Sequence, residues 1–196
     1  MNIIRKFWIL YNRIYFTMCK ISYGKYIRVC NKLYLNLKGD NKISIGDGFT
    51  FSSGGYNPLS RNIKGSIEME KGASLEIGDN VGISSSCLWV YDYLKIGDNT
   101  KIGADTIILD SDAHSLDFRI RMTADDRKNC AKKGINIGNN VLVGTRCIIL
   151  KGVTIGDRAI IGSGSVVTKS IPADCIAAGN PCKVIKYINI ADSANV

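Results

Sequence analysis

The run "IGNNVLVGTRCIILKGVTIGDRAIIGSGSVV", residues 137–167, places an aliphatic side chain at every sixth position: Ile137, Val143, Ile149, Ile155, Ile161 and Val167. The same register continues backwards through Ile108, Ile102 and Ile96, then Ile83 and Ile77, with two interruptions. Glycine follows directly at Gly78, Gly97, Gly103, Gly138, Gly144, Gly156 and Gly162. That is seven of eleven positions, where 20 glycines among 196 residues would give about one by chance. Four residues after successive aliphatics come Val81, Cys87, Thr100, Thr106, Val141, Cys147, Val153, Ala159 and Ser165, all small or β-branched. A six-residue period with one deep apolar position fits a short strand and a turn, repeated so that each copy stacks on the last and buries one continuous core. Glycine, lacking a Cβ, permits the tight turn. The period predicts an all-β solenoid and excludes a helical reading of this region.

A chain of 196 residues suits one domain with a real core. Hydrophobic residues make up 45% and charged residues 22%, an ordinary globular balance, and no apolar run is long enough to cross a bilayer. The expectation is a soluble protein, at most associated with a membrane surface. The cysteines (Cys19, Cys30, Cys87, Cys130, Cys147, Cys175 and Cys182) are odd in number and show no C-x-x-C spacing. They read as reduced, buried thiols of a cytosolic protein. With a single histidine and no paired ligands, no metal site is expected.

The net charge of +9 is unevenly placed. Residues 1–40 carry eight basic side chains (Arg5, Lys6, Arg13, Lys20, Lys25, Arg28, Lys32 and Lys38) against Asp40, and also half of the 16 aromatic residues. Within this arm Ile3, Ile4, Phe7, Trp8, Tyr11, Ile14, Tyr15 and Met18 follow helical spacing, with Asn2, Arg5, Lys6, Asn12, Arg13 and Lys20 largely on the other side. The arm predicts an amphipathic helix that either covers the open end of the core or lies through residues 1–20 on an anionic membrane, and the two are compatible. Asn12 and Arg13 interrupt the apolar run, which argues against a cleaved signal peptide. The charge alone would suit nucleic acid, but no nucleic-acid motif accompanies it, and no such partner is expected.

Segments such as "IGDNTKIGADTI" and "VVTKSIPADCIAAGNPCKVIK" resemble the hexapeptide-repeat acyltransferases, well over about residues 75–188 and loosely over 40–74 through "ISIGDGFTF". The tail "GNPCKVIK" resembles the acetyl-CoA-using branch, and "DSDAH" followed by a long loop resembles the sugar and surface-polysaccharide O-acetyltransferases. The resemblance implies a left-handed parallel β-helix. It divides the chain into a helical arm over 1–40, a β-helix over 41–188 with an active-site loop at 109–136, and a tail over 189–196. It also implies acetyl-CoA as cosubstrate, a homotrimer and active sites between adjacent subunits.

The register jumps by 29 residues between Ile108 and Ile137, and the excursion carries His114, the only histidine. Long loops without structure of their own are usually functional. Moving an acetyl group from a thioester to a sugar hydroxyl needs a base that works near neutral pH, and His114 is the one ordinary candidate. Asp110 and Asp112 are candidates to hold its tautomer, with Asp112 preferred. No acyl-enzyme is required, so the cysteines need no catalytic role.

A second irregularity, "ISSSCLWVYDYLKIGDN" at 83–99, spaces Ile83 and Ile96 by 13 rather than 12. By resemblance to the galactoside and maltose O-acetyltransferases, Ser84 and Asp92 would line the acceptor pocket, Ser84 standing where those proteins have an asparagine. Trp89, Tyr91 and Tyr93 suit stacking on sugar faces or packing in the turn. Matching the family motif residue by residue puts the pantetheine arm beside Gly144, Thr145 and Ser163, with Thr168, Lys169 and Lys183 toward the nucleotide phosphates. Leu142 stands where some polysaccharide acetyltransferases have tryptophan.

The leading expectation is therefore a cytoplasmic acetyl-CoA-dependent O-acetyltransferase, peripheral on the inner face of the plasma membrane where the arm binds lipid, acting on a surface polysaccharide or its lipid-linked precursor. Acetylation of a small free acceptor (a galactoside, serine or an amino sugar) and a non-catalytic β-helix binding module are the alternatives. A carbonic anhydrase on the same solenoid would need several histidines, which this chain lacks.

Overall fold

The computed structural model describes residues 3–56 and 62–189. After one N-terminal helix, α1 (Ile3–Met18), short strands visit three parallel sheets in rotation as far as Val166–Val167 and build a three-faced β-helix. Face A carries Ser22–Tyr23, Lys42–Ile45, Ser74–Ile77, Tyr93–Ile96, Ile135–Ile137 and Thr154–Ile155. Face B carries Arg28–Cys30, Thr50–Ser52, Gly82–Ser84, Lys101–Ile102, Leu142–Val143, Ile160–Ile161 and Cys175–Ala178, and ends in the antiparallel Lys183–Tyr187. Face C carries Tyr34–Leu37, Ser66–Met69, Cys87–Val90, Ile107–Leu109, Ile148–Leu150 and Val166–Val167.

The six-residue register becomes three buried columns, because successive deep positions fall on successive faces. Ile45, Ile77, Ile96, Ile137 and Ile155 stack in register on face A. Phe51, Ile83, Ile102, Val143, Ile161 and Ala177 stack on face B, and Ile67, Leu88, Ile108, Ile149 and Val167 on face C. All are buried, and each aliphatic side chain so removed from water stabilises the fold by about 1.5–3 kcal/mol.

At the A-to-B corner the glycines have a different role from the one the motif suggests. Gly46, Gly78 and Gly97 are not in the left-handed region, and that conformation falls instead on Asn80, Asn99 and Asn140. The glycine is needed because the next coil lies on top of it. A Cβ on Gly78 would meet Asp98 Oδ1 at 2.2 Å, and one on Gly97 would meet Asn139 Oδ1 at 2.6 Å. Those carboxylate and amide oxygens form a ladder, each accepting the N–H of the coil before it: Asp79 takes Asp47 N at 2.7 Å, Asp98 takes Asp79 N at 2.8 Å, and Asn139 takes Asp98 N at 2.8 Å. The recurring "IGD" and "IGN" thus encode a contact between coils as well as a turn.

The β-helix begins earlier than the expected boundary at residue 41. Strand pairing starts at Ser22, so residues 22–37 form a first coil and only α1 stands apart as a helical arm. Lys25 holds the Asx position of that coil, so its N–H joins the ladder through Asp47, but its side chain cannot accept from another coil. Most of the expected tail, residues 190–196, lies outside the described residues.

Helix α1 seats on the first coil through a polar contact. Asn12 is fully buried, and its amide donates to the carbonyls of Val29 at 3.3 Å and Asn31 at 2.9 Å, while Phe16 fills the apolar space beside it. The apolar face read from the sequence is split: Trp8, Tyr11 and Tyr15 are half-buried, whereas Ile3, Ile4, Phe7, Ile14 and Met18 are 83, 57, 58, 54 and 75% exposed. Among the described residues no helix is long and apolar enough to cross a membrane.

The contact argument makes Gly97→Ala destabilising by about 1–3 kcal/mol, the cost of overpacking a closed contact. Gly55→Ala, where a Cβ meets nothing within 4 Å, should leave thermal stability unchanged. Melting curves of the two variants check the pair.

Candidate active site

The long loop leaves the solenoid after Ile107–Leu109 at the C-to-A corner and returns at Ile135. Its neck is closed by backbone bonds from Asp112 N to Ala131 O and from Lys133 N to Asp110 O, both 2.9 Å, around an antiparallel bridge of Ser111 with Lys132. Asp110 is buried beneath the neck and accepts the N–H groups of Tyr91, Asp92 and Tyr93 at 2.6, 2.7 and 2.9 Å. Burial pushes its carboxyl above the ordinary range against the pull of those three donors. Asp110 therefore ties the loop to the preceding coil and is out of play as an acid or base.

His114 projects from this neck with its side chain 56% exposed and its Nδ1 2.5 Å from Asp126 Oδ2. The other oxygen of Asp126 accepts Ser115 N at 2.7 Å. A carboxylate can only accept, so Nδ1 of the neutral imidazole carries the proton, and Nε2, without a partner among the described residues, presents its lone pair outward. The hydrogen bond from His114, then the Ser115 N–H, hold the Asp126 carboxyl below the usual range. Its contribution to holding the loop is thus present above the pH where a free aspartate titrates, and is lost only as pH falls through the depressed value.

Asp112, expected to orient the imidazole, does not. Its Oδ1 lies 2.5 Å from Lys151 Nζ, and its Oδ2 is buried without a partner. Asp112 braces the loop neck against the next coil, and Asp126, twelve residues beyond the histidine in a non-periodic loop, takes the role assigned to it. A short helix, α2 (Phe118–Arg121), capped by Asp117, and a 3-10 turn at Arg127–Asn129 supply the fold-back.

The expected cofactor residues divide between two corners. Gly144, Thr145 and Ser163 sit together at the B-to-C corner, where Thr145 N donates to Ser163 Oγ at 3.2 Å. They line a groove of about 450 Å³ along face B, together with Ser84, Lys101 and Leu142. Lys183 pairs with Ala178 on the last strand of the same face. Thr168 and Lys169 are exposed at the C-to-A corner instead.

The acceptor residues divide in the same way. Ser84 belongs to the face B groove, whereas Asp92 lies at the C-to-A corner above Asp110. The aromatic trio also separates: Trp89 stands on face C, Tyr91 is buried, and Tyr93 donates its hydroxyl to Glu76 at 3.2 Å on face A. One chain therefore presents two half-sites, a basic loop residue at one corner and a groove at another.

Residues 134–169 match the family model "Bacterial transferase hexapeptide (six repeats)". The chain is 40% identical over 122 residues to the galactoside O-acetyltransferase of Escherichia coli K12, covering 62% of this chain and 58% of that protein. It is 45% identical over 126 residues to the polysialic acid O-acetyltransferase of Escherichia coli O1:K1, covering 63% of this chain and 40% of that protein. The match thus spans less than two thirds of either relative. Among solved structures, a hexapeptide-repeat acetyltransferase of Vibrio cholerae complexed with acetyl-coenzyme A superposes with a TM-score of 0.57 at 27% identity over 73% of this chain and 72% of that one. AntD, an N-acyltransferase from Bacillus cereus, superposes with a TM-score of 0.66 at 17% identity over 93% and 92%, a likeness of fold alone. The solenoid is a left-handed parallel β-helix, and over these spans the chain is similar to hexapeptide-repeat transferases.

Because His114 is the only histidine, its ring nitrogens can be read by NMR without assignment ambiguity. The neutral imidazole should be protonated on Nδ1 in the wild type and in Asp112→Asn. Asp126→Asn should lose that preference.

Proposed function

We propose that the chain is an acetyl-CoA-dependent O-acetyltransferase whose acceptor is a sugar hydroxyl of a surface polysaccharide or its lipid-linked precursor. The observation that carries this reading is the His114–Asp126 pair, which leaves an exposed Nε2 lone pair on a family scaffold whose named relatives are O-acetyltransferases. The groove at Gly144, Thr145 and Ser163 fits a pantetheine arm in its donor set, with backbone amides and hydroxyls along its length and Lys101 and Lys183 to meet phosphates. Bound there, acetyl-CoA supplies an activated thioester carbonyl.

His114 Nε2 takes the proton of the acceptor hydroxyl as its oxygen attacks that carbonyl. Asp126 stabilises the imidazolium formed, and His114 returns the proton to the leaving thiolate as the C–S bond breaks. The transfer is direct. Burial pushes the thiols of Cys19, Cys87, Cys130, Cys147, Cys175 and Cys182 up, away from the nucleophilic thiolate form, so a cysteinyl acyl-enzyme is disfavoured.

The two half-sites lie at different corners, so a complete site requires a second copy whose groove receives this chain's loop. The outer residues of faces B and C beside the groove corner are aliphatic: Leu142 is 47% and Ile107 41% exposed, next to Ile148 and Leu150. Such a patch suits burial against another subunit. A head-to-tail contact of this kind closes a ring, and three copies are the reading we adopt. The outward apolar face of α1, edged by Lys6, Arg13 and Lys20, complements an anionic bilayer and would hold the enzyme at the inner face of the plasma membrane.

Acceptor-dependent thiol release from acetyl-CoA, measured with free sugars, oligosaccharides and lipid-linked glycans, tests the activity. His114→Ala should lose about 10²–10⁴-fold. Release that persists in the variant removes His114 as base, and failure of the wild type to bind acetyl-CoA leaves a binding module. Co-expressing His114→Ala with a groove-filling Thr145→Trp should restore about a quarter of wild-type activity in random trimers, and no recovery would place both halves in one chain. Separately, the protein should sediment with phosphatidylglycerol vesicles and remain in solution with phosphatidylcholine ones. Leu10→Asp in α1 should abolish that sedimentation, whereas equal recovery with both vesicle types would contradict the membrane reading.

A further inference from the structure

The outer side of face C changes character along the solenoid. Its later coils show aliphatic residues, but its first three carry Asn36, Glu68 and Trp89 side by side, paired in register across adjacent strands. These residues, with Lys38, Glu70 and Arg127, line a groove of about 240 Å³, the scale of a single sugar ring. Arg127 comes from the active-site loop and reaches toward Glu70, 3.9 Å away, while Lys38 bonds Glu70 at 2.6 Å. Arg127 directly follows Asp126, the residue that orients His114, so the groove and the base share one stretch of backbone.

The composition of this groove selects among ligand classes. Its two acids are matched by two bases, which disfavours a polyanion. Glu68 has no ion-pair partner among the described residues and leaves two oxygens to accept hydroxyl donors. Trp89 offers an aromatic face on the partly exposed side of its strand, backed at 5.7 Å between ring centroids by Tyr91. Tyr91 is 5% exposed, and its hydroxyl is buried without a partner close to the charges of Glu70 and Arg127. An aromatic platform ringed by a free carboxylate, an amide and a guanidinium suits a polyol with an apolar C–H face and converging hydroxyls.

We infer that face C holds a glycan subsite, in which Trp89 and Glu68 bind a sugar unit of the acceptor other than the one acetylated. The inference rests on the reading of the acceptor as a glycan. It makes the protein a reader of chain length, since a one-ring acceptor cannot occupy both the subsite and the position before His114.

Two readouts test it. In a Trp8→Phe, His114→Ala background Trp89 is the sole tryptophan, and its emission should be quenched by galactohexaose but not by galactose. In the active protein, Trp89→Ala and the isosteric Glu68→Gln should each lower kcat/KM for the hexamer about 10-fold and leave the monomer within two-fold. Equal loss on monomer and hexamer, or no quenching by galactohexaose, overturns the subsite. A change in oligomeric mass on Trp89→Ala would overturn it as well, by making face C a subunit contact. If the wild type consumes no acetyl-CoA, acetyl transfer fails as a reading, while the quenching still decides the subsite by itself.

Discussion

The close approach of successive coils at the A-to-B corner is the constraint on which the rest depends. A coil can sit directly on the one before it only where no Cβ intervenes, and at Gly46, Gly78, Gly97 and Gly138 the space a Cβ would take holds the Asx side chain of the next coil. That side chain then satisfies a backbone N–H which would otherwise face solvent at a tight turn. With the corner fixed, the deep positions of each coil fall in register, and the aliphatic columns of the three faces follow. Because the repeat tolerates insertion only where coils need not touch, the long loop leaves at a different corner from the ladder. That corner becomes the place where chemistry can be mounted on a rigid edge.

Much of the fold was legible because the repeat is written in residue types with few alternatives. Ile137 to Val167 give the period without help, and the stacked columns from Ile77 onward follow from it. The first coil was not legible. Residues 22–37 lack the Gly-Asx signature, since "YGKY" puts Lys25 where an aspartate would stand, and the aromatic, basic composition there resembled a continuation of the helical arm. The helix itself was legible, but its orientation was not. Periodicity marks the apolar face but not how much of it is covered: Asn12 bonds two carbonyls of the first coil and Phe16 is buried beside it, while Ile3, Phe7, Ile14 and Met18 of the predicted face stay exposed.

The site shows the same division. His114 stood out by its singularity and by the loop that carries it. Its partner did not, because nothing periodic links Asp126 to His114, and only the fold-back through α2 and the following 3-10 turn brings them together. Asp112 was the natural choice by proximity in sequence, yet a residue two positions away on an extended neck points elsewhere, here to Lys151. The separation of Ser84 from Asp92, and of Ser163 from Lys169, follows from the six-residue rotation: residues a few positions apart in a β-helix stand on different faces. Division of the proposed site between copies is thus a consequence of the geometry of the repeat, and the aliphatic outer residues around the groove are the surface it would use.

The most direct test of the account is a structure of the assembled protein with coenzyme A and an acceptor glycan bound. The account predicts His114 Nε2 within about 2.6–3.2 Å of an acceptor hydroxyl. It also predicts the coenzyme thiol beside Gly144 and Thr145 of the neighbouring subunit, and Asp126 still on Nδ1. A bound acceptor whose hydroxyl meets some other group, or a thiol held in the same chain as the histidine that faces it, would contradict it.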